Sequence, residues 1–214
     1  MHPDDSPNGT PSLSASELSC IRGERVLFSN LQLVLNEGQC LHLVGANGSG
    51  KTSLLKILCG INRPERGGVY WGGKPIESNA EFFRCSAYIG HADGLKNELT
   101  AAENLHFYHQ LEGCVSEDMV DQHLADMEIL QCADLTASNL SFGQRRRLAF
   151  ARLLLPRFKL WILDEPFTGI DRQGRQLIEE ICLRHLNNHG MIVLTNHQSL
   201  LQSRLAANLR ELSL

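Results

Sequence analysis

Apolar residues in this chain fall into short dense runs separated by glycine-bearing turns. Residues 40–44, 160–163 and 191–195 are almost unbroken apolar blocks, the pattern of strands covered on both faces. Residues 26–35 differ, alternating at Leu31, Leu33 and Leu35, which predicts a strand with one face in water. A further strand is expected over 17–21 and a short one over 86–90, and Asn36-Glu37-Gly38 reads as a turn. Val69-Tyr70-Trp71, Gly72-Gly73 and Lys74-Pro75-Ile76 predict a hairpin with a two-glycine turn. Helical spacing is expected over 52–59, stopped by Gly60, and over 172–187. From about residue 92 to 156 the texture is mostly helical, with segments 101–111, 117–130 and 144–155. Thr100 with Glu103 forms a capping box for the first of these. Strands alternating with helices imply an α/β fold on a parallel sheet, here with a helical lobe inserted over about 92–156 and an N-terminal antiparallel β subdomain. Residues 1–15, rich in Pro, Ser, Asp and Asn, read as a disordered tail ahead of a single domain over 16–214.

Composition narrows the function more than the fold. With 214 residues and 43% hydrophobic content the chain can bury a large core. A net charge of −4 gives no electrostatic reason to expect a nucleic-acid partner. The seven cysteines are scattered, without a Cys-x-x-Cys pair, which suits buried thiols in a reducing compartment. No apolar run approaches the ~18 residues of a membrane helix, and the N-terminus has no signal-peptide pattern. The expectation is a cytosolic protein that meets a membrane only through partners.

The chemistry concentrates at the ends of the apolar blocks. The block at 40–44 runs into Gly45-Ala46-Asn47-Gly48-Ser49-Gly50-Lys51-Thr52-Ser53 and then a helix. Strand, glycine loop and helix is the setting in which backbone N–H groups and a helix N-terminus cradle phosphate. Lys51 is placed to reach β- and γ-phosphates, and the Thr52 hydroxyl to hold Mg²⁺. The block at 160–163 ends in Asp164-Glu165-Pro166. There Asp164 can join a Mg²⁺ shell, and Glu165 can orient and deprotonate an attacking water. Leu140-Ser141-Phe142-Gly143-Gln144 opens another helix, a second anion-friendly start. The run Arg145-Arg146-Arg147 after it reads as a solvated helix face rather than a nucleic-acid contact.

With these elements in this order, the chain resembles the nucleotide-binding subunits of ABC transporters from about residue 17 to its C-terminus. The Leu-Ser-Gly-Gly-Gln signature of that family is Leu140 to Gln144 here, with Phe142 in place of a glycine. The resemblance implies a P-loop ABC-type ATPase that pairs head to tail as a homodimer, with Ser141, Gly143 and Gln144 of one copy facing ATP held by the other. It also makes Thr168-Gly169-Ile170-Asp171 a D-loop, with Asp171 near the shared nucleotide. His197 becomes the switch histidine that senses the γ-phosphate and the attacking water. Two further roles come only from that likeness. His91 takes the place of a glutamine that ligates Mg²⁺, and Arg22 that of an aromatic residue stacked on adenine.

Residues 102–109 and 160–168, His91 and the short length are similar to the ATP-binding subunit of cytochrome c maturation haem exporters. This likeness implies ATP and Mg²⁺ as cofactors, integral membrane permease subunits as partners, and a peripheral place on the cytoplasmic side of the bacterial inner membrane. Haem would be handled by those partners. His106 with His109, and His185 with His189, are helical neighbours read as surface or interface histidines, since neither pair is completed by a Cys or carboxylate. Three alternatives remain open: an ABC ATPase acting on ribosomes or DNA, a nucleotide-binding module without turnover, and the ATPase subunit of another small ABC transporter. Intact Lys51, Asp164, Glu165 and His197 weigh against the second.

Overall fold

The structure is a computed structural model that describes residues 12–111, 113 and 116–214. In chain order its elements are β1 (Leu13–Arg22), β2 (Arg25–Leu35), β3 (Cys40–Val44), α1 (Lys51–Leu58), β4 (Arg66–Trp71), β5 (Lys74–Pro75), α2 (Ala80–Cys85) and β6 (Ser86–Ile89). There follow α3 (Ala101–Leu111), α4 (Glu117–Asp126), α5 (Phe142–Ala151), β7 (Leu160–Leu163), α6 (Arg172–Asn187), β8 (Met191–Thr195) and β9 (Leu209–Ser213).

Two sheets result. The strands β2-β1-β4-β5 pair antiparallel, and β6-β7-β8-β3-β9 pair parallel. The apolar blocks are the central strands of the parallel sheet, and β7 and β8 are buried at every position. Successive side chains of a strand point to opposite faces, so these blocks feed two cores. Trp161, Leu163, Ile192 and Leu194 join the core under α3, α4, α5 and α6. Leu160, Ile162, Met191 and Val193 join the core shared with α1 and the antiparallel sheet. The helical stretch therefore does not stand apart; it covers one face of the sheet.

Most predicted elements are present, with shifted ends. The tail expected over 1–15 lies largely outside the described residues, but residues 13–15 are already strand, since Leu13 pairs with Leu35 and Trp71. The helix expected over 117–130 stops at Asp126, because the chain turns at Glu128, which has φ 54°. The helix expected from 144 starts two residues earlier, at Phe142. The Thr100–Glu103 capping box forms in both directions, at 3.1 and 2.8 Å. Gly72 and Gly73, at φ 55° and 77°, make the tight turn between β4 and β5. Two elements were not anticipated, α2 and β9. The latter is a half-exposed edge strand, Leu209-Arg210-Glu211-Leu212-Ser213, and carries no apolar block to betray it.

In a parallel sheet functional groups gather at the carboxyl ends of the strands. Here β3 lies beside β8, and β8 beside β7, with Leu43 level with Thr195 and Leu163 level with Leu194. The phosphate loop, the Asp164–Glu165 tip and the end of β8 are thereby brought together, although they are far apart in sequence.

Candidate active site

The loop after β3 turns through three glycines with positive φ: Gly45 at 154°, Gly48 at 77° and Gly50 at 106°. A Cβ on Gly45 would lie 2.6 Å from Ser49 Oγ and 2.9 Å from the Leu214 carbonyl, so only glycine fits there. Gly50 caps α1 without a side-chain hydrogen bond, which leaves the first N–H groups of the helix available to an anion. Lys51 Nζ donates to the carbonyls of Gly45 (2.7 Å) and Ala46 (3.0 Å), so the ammonium spans the loop. Asn47, Gly48, Gly50, Lys51, Thr52, Ser53, Asp164, Glu165 and His197 border one cavity of about 400 Å³, with Leu27 on its rim.

The strand tips supply the acids. The Asp164 carboxylate is buried and accepts from both sides, from Thr52 Oγ1 at Oδ2 (2.9 Å) and from Thr195 Oγ1 at Oδ1 (2.7 Å). Two hard oxygens, the Thr52 hydroxyl and the Asp164 carboxylate, are thus adjacent, and they fit a Mg²⁺ ion. Thr195 Oγ1 also accepts from the Glu165 N–H at 2.9 Å. Glu165 itself sits at φ 51°, a left-handed conformation costing a non-glycine residue roughly 1–2 kcal/mol. Such strain persists only where neighbours over-determine it. The Glu165 carboxylate lies 2.8 Å from His197 Nε2 and accepts from Thr168 Oγ1 at 3.2 Å.

The signature segment is built as a helix cap. Ser141 Oγ accepts from the Gln144 N–H at 3.3 Å, and the Ser141 N–H donates to Gln144 Oε1 at 2.8 Å. Phe142 is half exposed and its ring rests against Gly169, where a Cβ would come within 2.4 Å of it. Asp171 caps α6 through the Gly174 N–H at 2.7 Å and faces Arg147 Nη2 at 3.9 Å. None of Ser141, Gly143, Gln144 and Asp171 borders the phosphate cavity. One chain therefore carries two separate anion-friendly helix starts.

The arginine run is not uniformly a solvated face. Arg146 is 2% exposed, the reverse of that expectation. It donates from Nη2 to the carbonyls of Asp164 (2.9 Å) and Glu165 (3.0 Å), and from Nε to that of Pro166 (3.3 Å). It also donates from Nη1 to the Gly90 carbonyl and to Asp93 Oδ1, both at 3.1 Å. Sequence reasoning missed this residue. The available signal was Leu148-Ala149-Phe150-Ala151, an apolar stretch with no polar face, which means the helix is surrounded and an arginine just before it points inward. Arg145 and Arg147 remain partly exposed, facing Asp93 and Glu128.

His91 is exposed and does not border the phosphate cavity. Its loop is pinned beyond it: Arg152 Nη1 donates to the Asp93 carbonyl (2.8 Å), Tyr108 to that of Gly94, and buried Asn104 bonds both the N–H and the carbonyl of Lys96. Arg22 borders a different pocket, with Ile57, Ile61 and Asn62. The guanidinium that approaches the loop is Arg25, 3.8 Å from where a Cβ of Gly48 would lie.

Of the histidines read as surface or interface groups, His109 is interior and His185 is half-buried. His109 is buried and hydrogen-bonded to His123 at 3.2 Å. Burial, then the neighbouring His123 and His106, push its pKa down to about 4. His185 stacks on Trp161 with ring centroids 3.8 Å apart, and burial pushes it down to about 4 as well. His189 is exposed, as expected. Among the described residues the cysteines are all free thiols, and burial pushes Cys40 up to about 12.

Comparison with known proteins identifies the family. The ABC transporter family model matches residues 28–168. A cytochrome c biogenesis ATP-binding export protein CcmA of Pasteurella multocida is 44% identical over 200 residues, covering 92% of this chain and 93% of that protein. The protein of the same description from Nitrosomonas europaea is 45% identical over 199 residues, with 92% and 93% covered. A solved structure described as an ATP-binding subunit of an ABC transporter superposes with a TM-score of 0.77 at 25% identity, covering 86% of this chain and 79% of that one. The chain is an ABC-type ATPase and belongs to the ABC transporter family, alongside the cytochrome c biogenesis ATP-binding export proteins.

Proposed function

We propose that this ATPase powers haem export, or release of a haem-loaded chaperone, in cytochrome c biogenesis. It works from the cytoplasmic face of a bacterial inner membrane with integral permease subunits. The observation that carries the reading is one cavity bordered by Lys51, Thr52, Asp164, Glu165 and His197, in a chain 44% identical to an export protein of that pathway. No helix among the described residues is long and apolar enough to cross a membrane, consistent with a peripheral subunit carried by membrane partners.

In this reading the loop N–H groups from Gly45 to Gly50, together with Lys51, hold the β- and γ-phosphates, and Ser53 supports them. Thr52 and Asp164 would hold Mg²⁺, which would supply charge neutralisation. Glu165 orients the attacking water and takes its proton, while His197 bonds the γ-phosphate. The base therefore sits on a backbone fixed at both ends, which is the preorganisation that phosphoryl transfer needs. Two copies pair head to tail, so that Ser141, Gly143, Gln144 and Asp171 of one close on ATP in the other. That accounts for a signature built outside its own phosphate cavity. Arg22 and His91 are the proposed adenine and metal-shell neighbours, although neither borders the phosphate cavity.

Haem itself is left to the partners. The test is complementation. A strain lacking its own copy should regain covalently haem-bearing cytochromes c with the wild-type chain and not with Lys51→Ala. Complementation by Lys51→Ala, or a stoichiometric haem Soret band on the isolated chain, would contradict the proposal.

A further inference from the structure

A guanidinium has five N–H donors in a rigid fork, and Arg146 uses all of them. Its acceptors lie on two segments remote from α5: the loop carrying Gly90 and Asp93, and the turn Asp164-Glu165-Pro166. Three of the five are the carbonyls of consecutive residues, centred on Glu165 with its left-handed φ of 51°. Holding the fold would not require this arrangement. A buried charge is costly, and a well-packed apolar side chain of similar volume often serves a core as well or better. The surrounding core already contains Leu148, Phe150, Leu163 and Phe167.

We infer that Arg146 is a positioning residue for ATP hydrolysis, keying the Asp164–Pro166 turn to the signature helix and to loop 90–93. This rests on Glu165 being the base. Rotation about Glu165 redirects its carboxylate, and the fork opposes that rotation from the carbonyl side while Thr195 opposes it from the N–H side at 2.9 Å. The same fork makes α5, which is capped by Ser141, follow the tip of β7. Movement at the nucleotide is thereby passed to the face that meets the second copy. Lysine cannot replace it, since an ammonium is a point charge with three donors and no fork.

The test uses the full-length chain in its membrane complex, comparing wild type, Glu165→Gln, Arg146→Lys, Arg146→Ala and the core control Leu148→Ala. In both Arg146 variants kcat should fall about 10- to 100-fold, while the ATP Kd stays within about threefold. Millimolar guanidinium chloride should restore part of the turnover of Arg146→Ala, whereas equal sodium chloride or urea should not. Leu148→Ala should lower thermal stability and leave kcat of the folded fraction within about twofold. If Arg146→Ala fails to fold, the kcat-against-Kd split of Arg146→Lys decides. Normal turnover in the Arg146 variants beside an inactive Glu165→Gln overturns the inference alone. So does a loss that merely tracks the folded fraction and is not rescued by guanidinium. Turnover surviving Glu165→Gln overturns the base assignment, and this inference with it.

Discussion

His197 Nε2 lies 2.8 Å from Oε1 of Glu165, joining the end of β8 to the tip of β7. The second oxygen of Glu165 accepts from Thr168 at 3.2 Å. The carboxylate is therefore held by the two segments that flank the phosphate cavity.

Glu165→Gln preserves the shape and can still bond His197 and Thr168, but it cannot accept a proton from water. Steady-state phosphate release should fall about 100-fold or more. ATP affinity, measured by titration calorimetry, should change by less than about threefold.

Lys51→Ala removes the ammonium that spans the Gly45 and Ala46 carbonyls. Charge-assisted bonds to phosphate are among the strong ones, so ATP affinity should fall about tenfold or more. A ligand raises Tm only through binding the folded state. The thermal shift that ATP gives the wild type should therefore largely vanish in differential scanning fluorimetry.

Thr195→Val is nearly isosteric and deletes one hydroxyl that serves two bonds, to the Asp164 carboxylate at Oδ1 and from the Glu165 N–H. Leaving those groups without a partner costs roughly 1–3 kcal/mol. The variant should unfold at lower denaturant concentration and lose kcat, with KM nearly unchanged.

Stability should also fall on mild acidification. His109 and His185 are held near pKa 4 in the fold, against an ordinary 6.5 in the unfolded chain. Between those values the unfolded chain binds the protons and the folded one does not, so stability is complete above about pH 6.5 and is lost progressively toward pH 4. Tm measured from pH 7 to 5 should decline. The double variant His109→Gln, His185→Phe should show a shallower slope.

The sequence made most of the active site readable because phosphate chemistry forces local patterns. A loop that wraps an anion needs glycines at fixed places, and acids at a buried strand tip follow an apolar block. Gly45, Lys51, Thr52, Asp164 and Glu165 are recognisable for that reason and His197 through the family likeness, and the structure brings them to the ends of adjacent strands. What escaped is set by tertiary contact. Arg146 lies in a run of three arginines, and only packing separates the one turned inward from its neighbours. His109 and His185 look like surface residues at helical spacing, but one pairs with His123 on another helix and the other stacks on a strand tryptophan. β9 is recognised only by its parallel pairing with β3.

The proposed mechanism encloses ATP between two copies of the chain. Its most direct test is analytical ultracentrifugation of Glu165→Gln with Mg²⁺ and saturating ATP, beside Glu165→Gln with Ser141→Arg. The account predicts a dimer retaining two ATP in the first case, and in the second a monomer that still binds ATP at its own phosphate loop. A strictly monomeric Glu165→Gln, alone and with its membrane subunits, would contradict it, as would a dimer indifferent to Ser141→Arg.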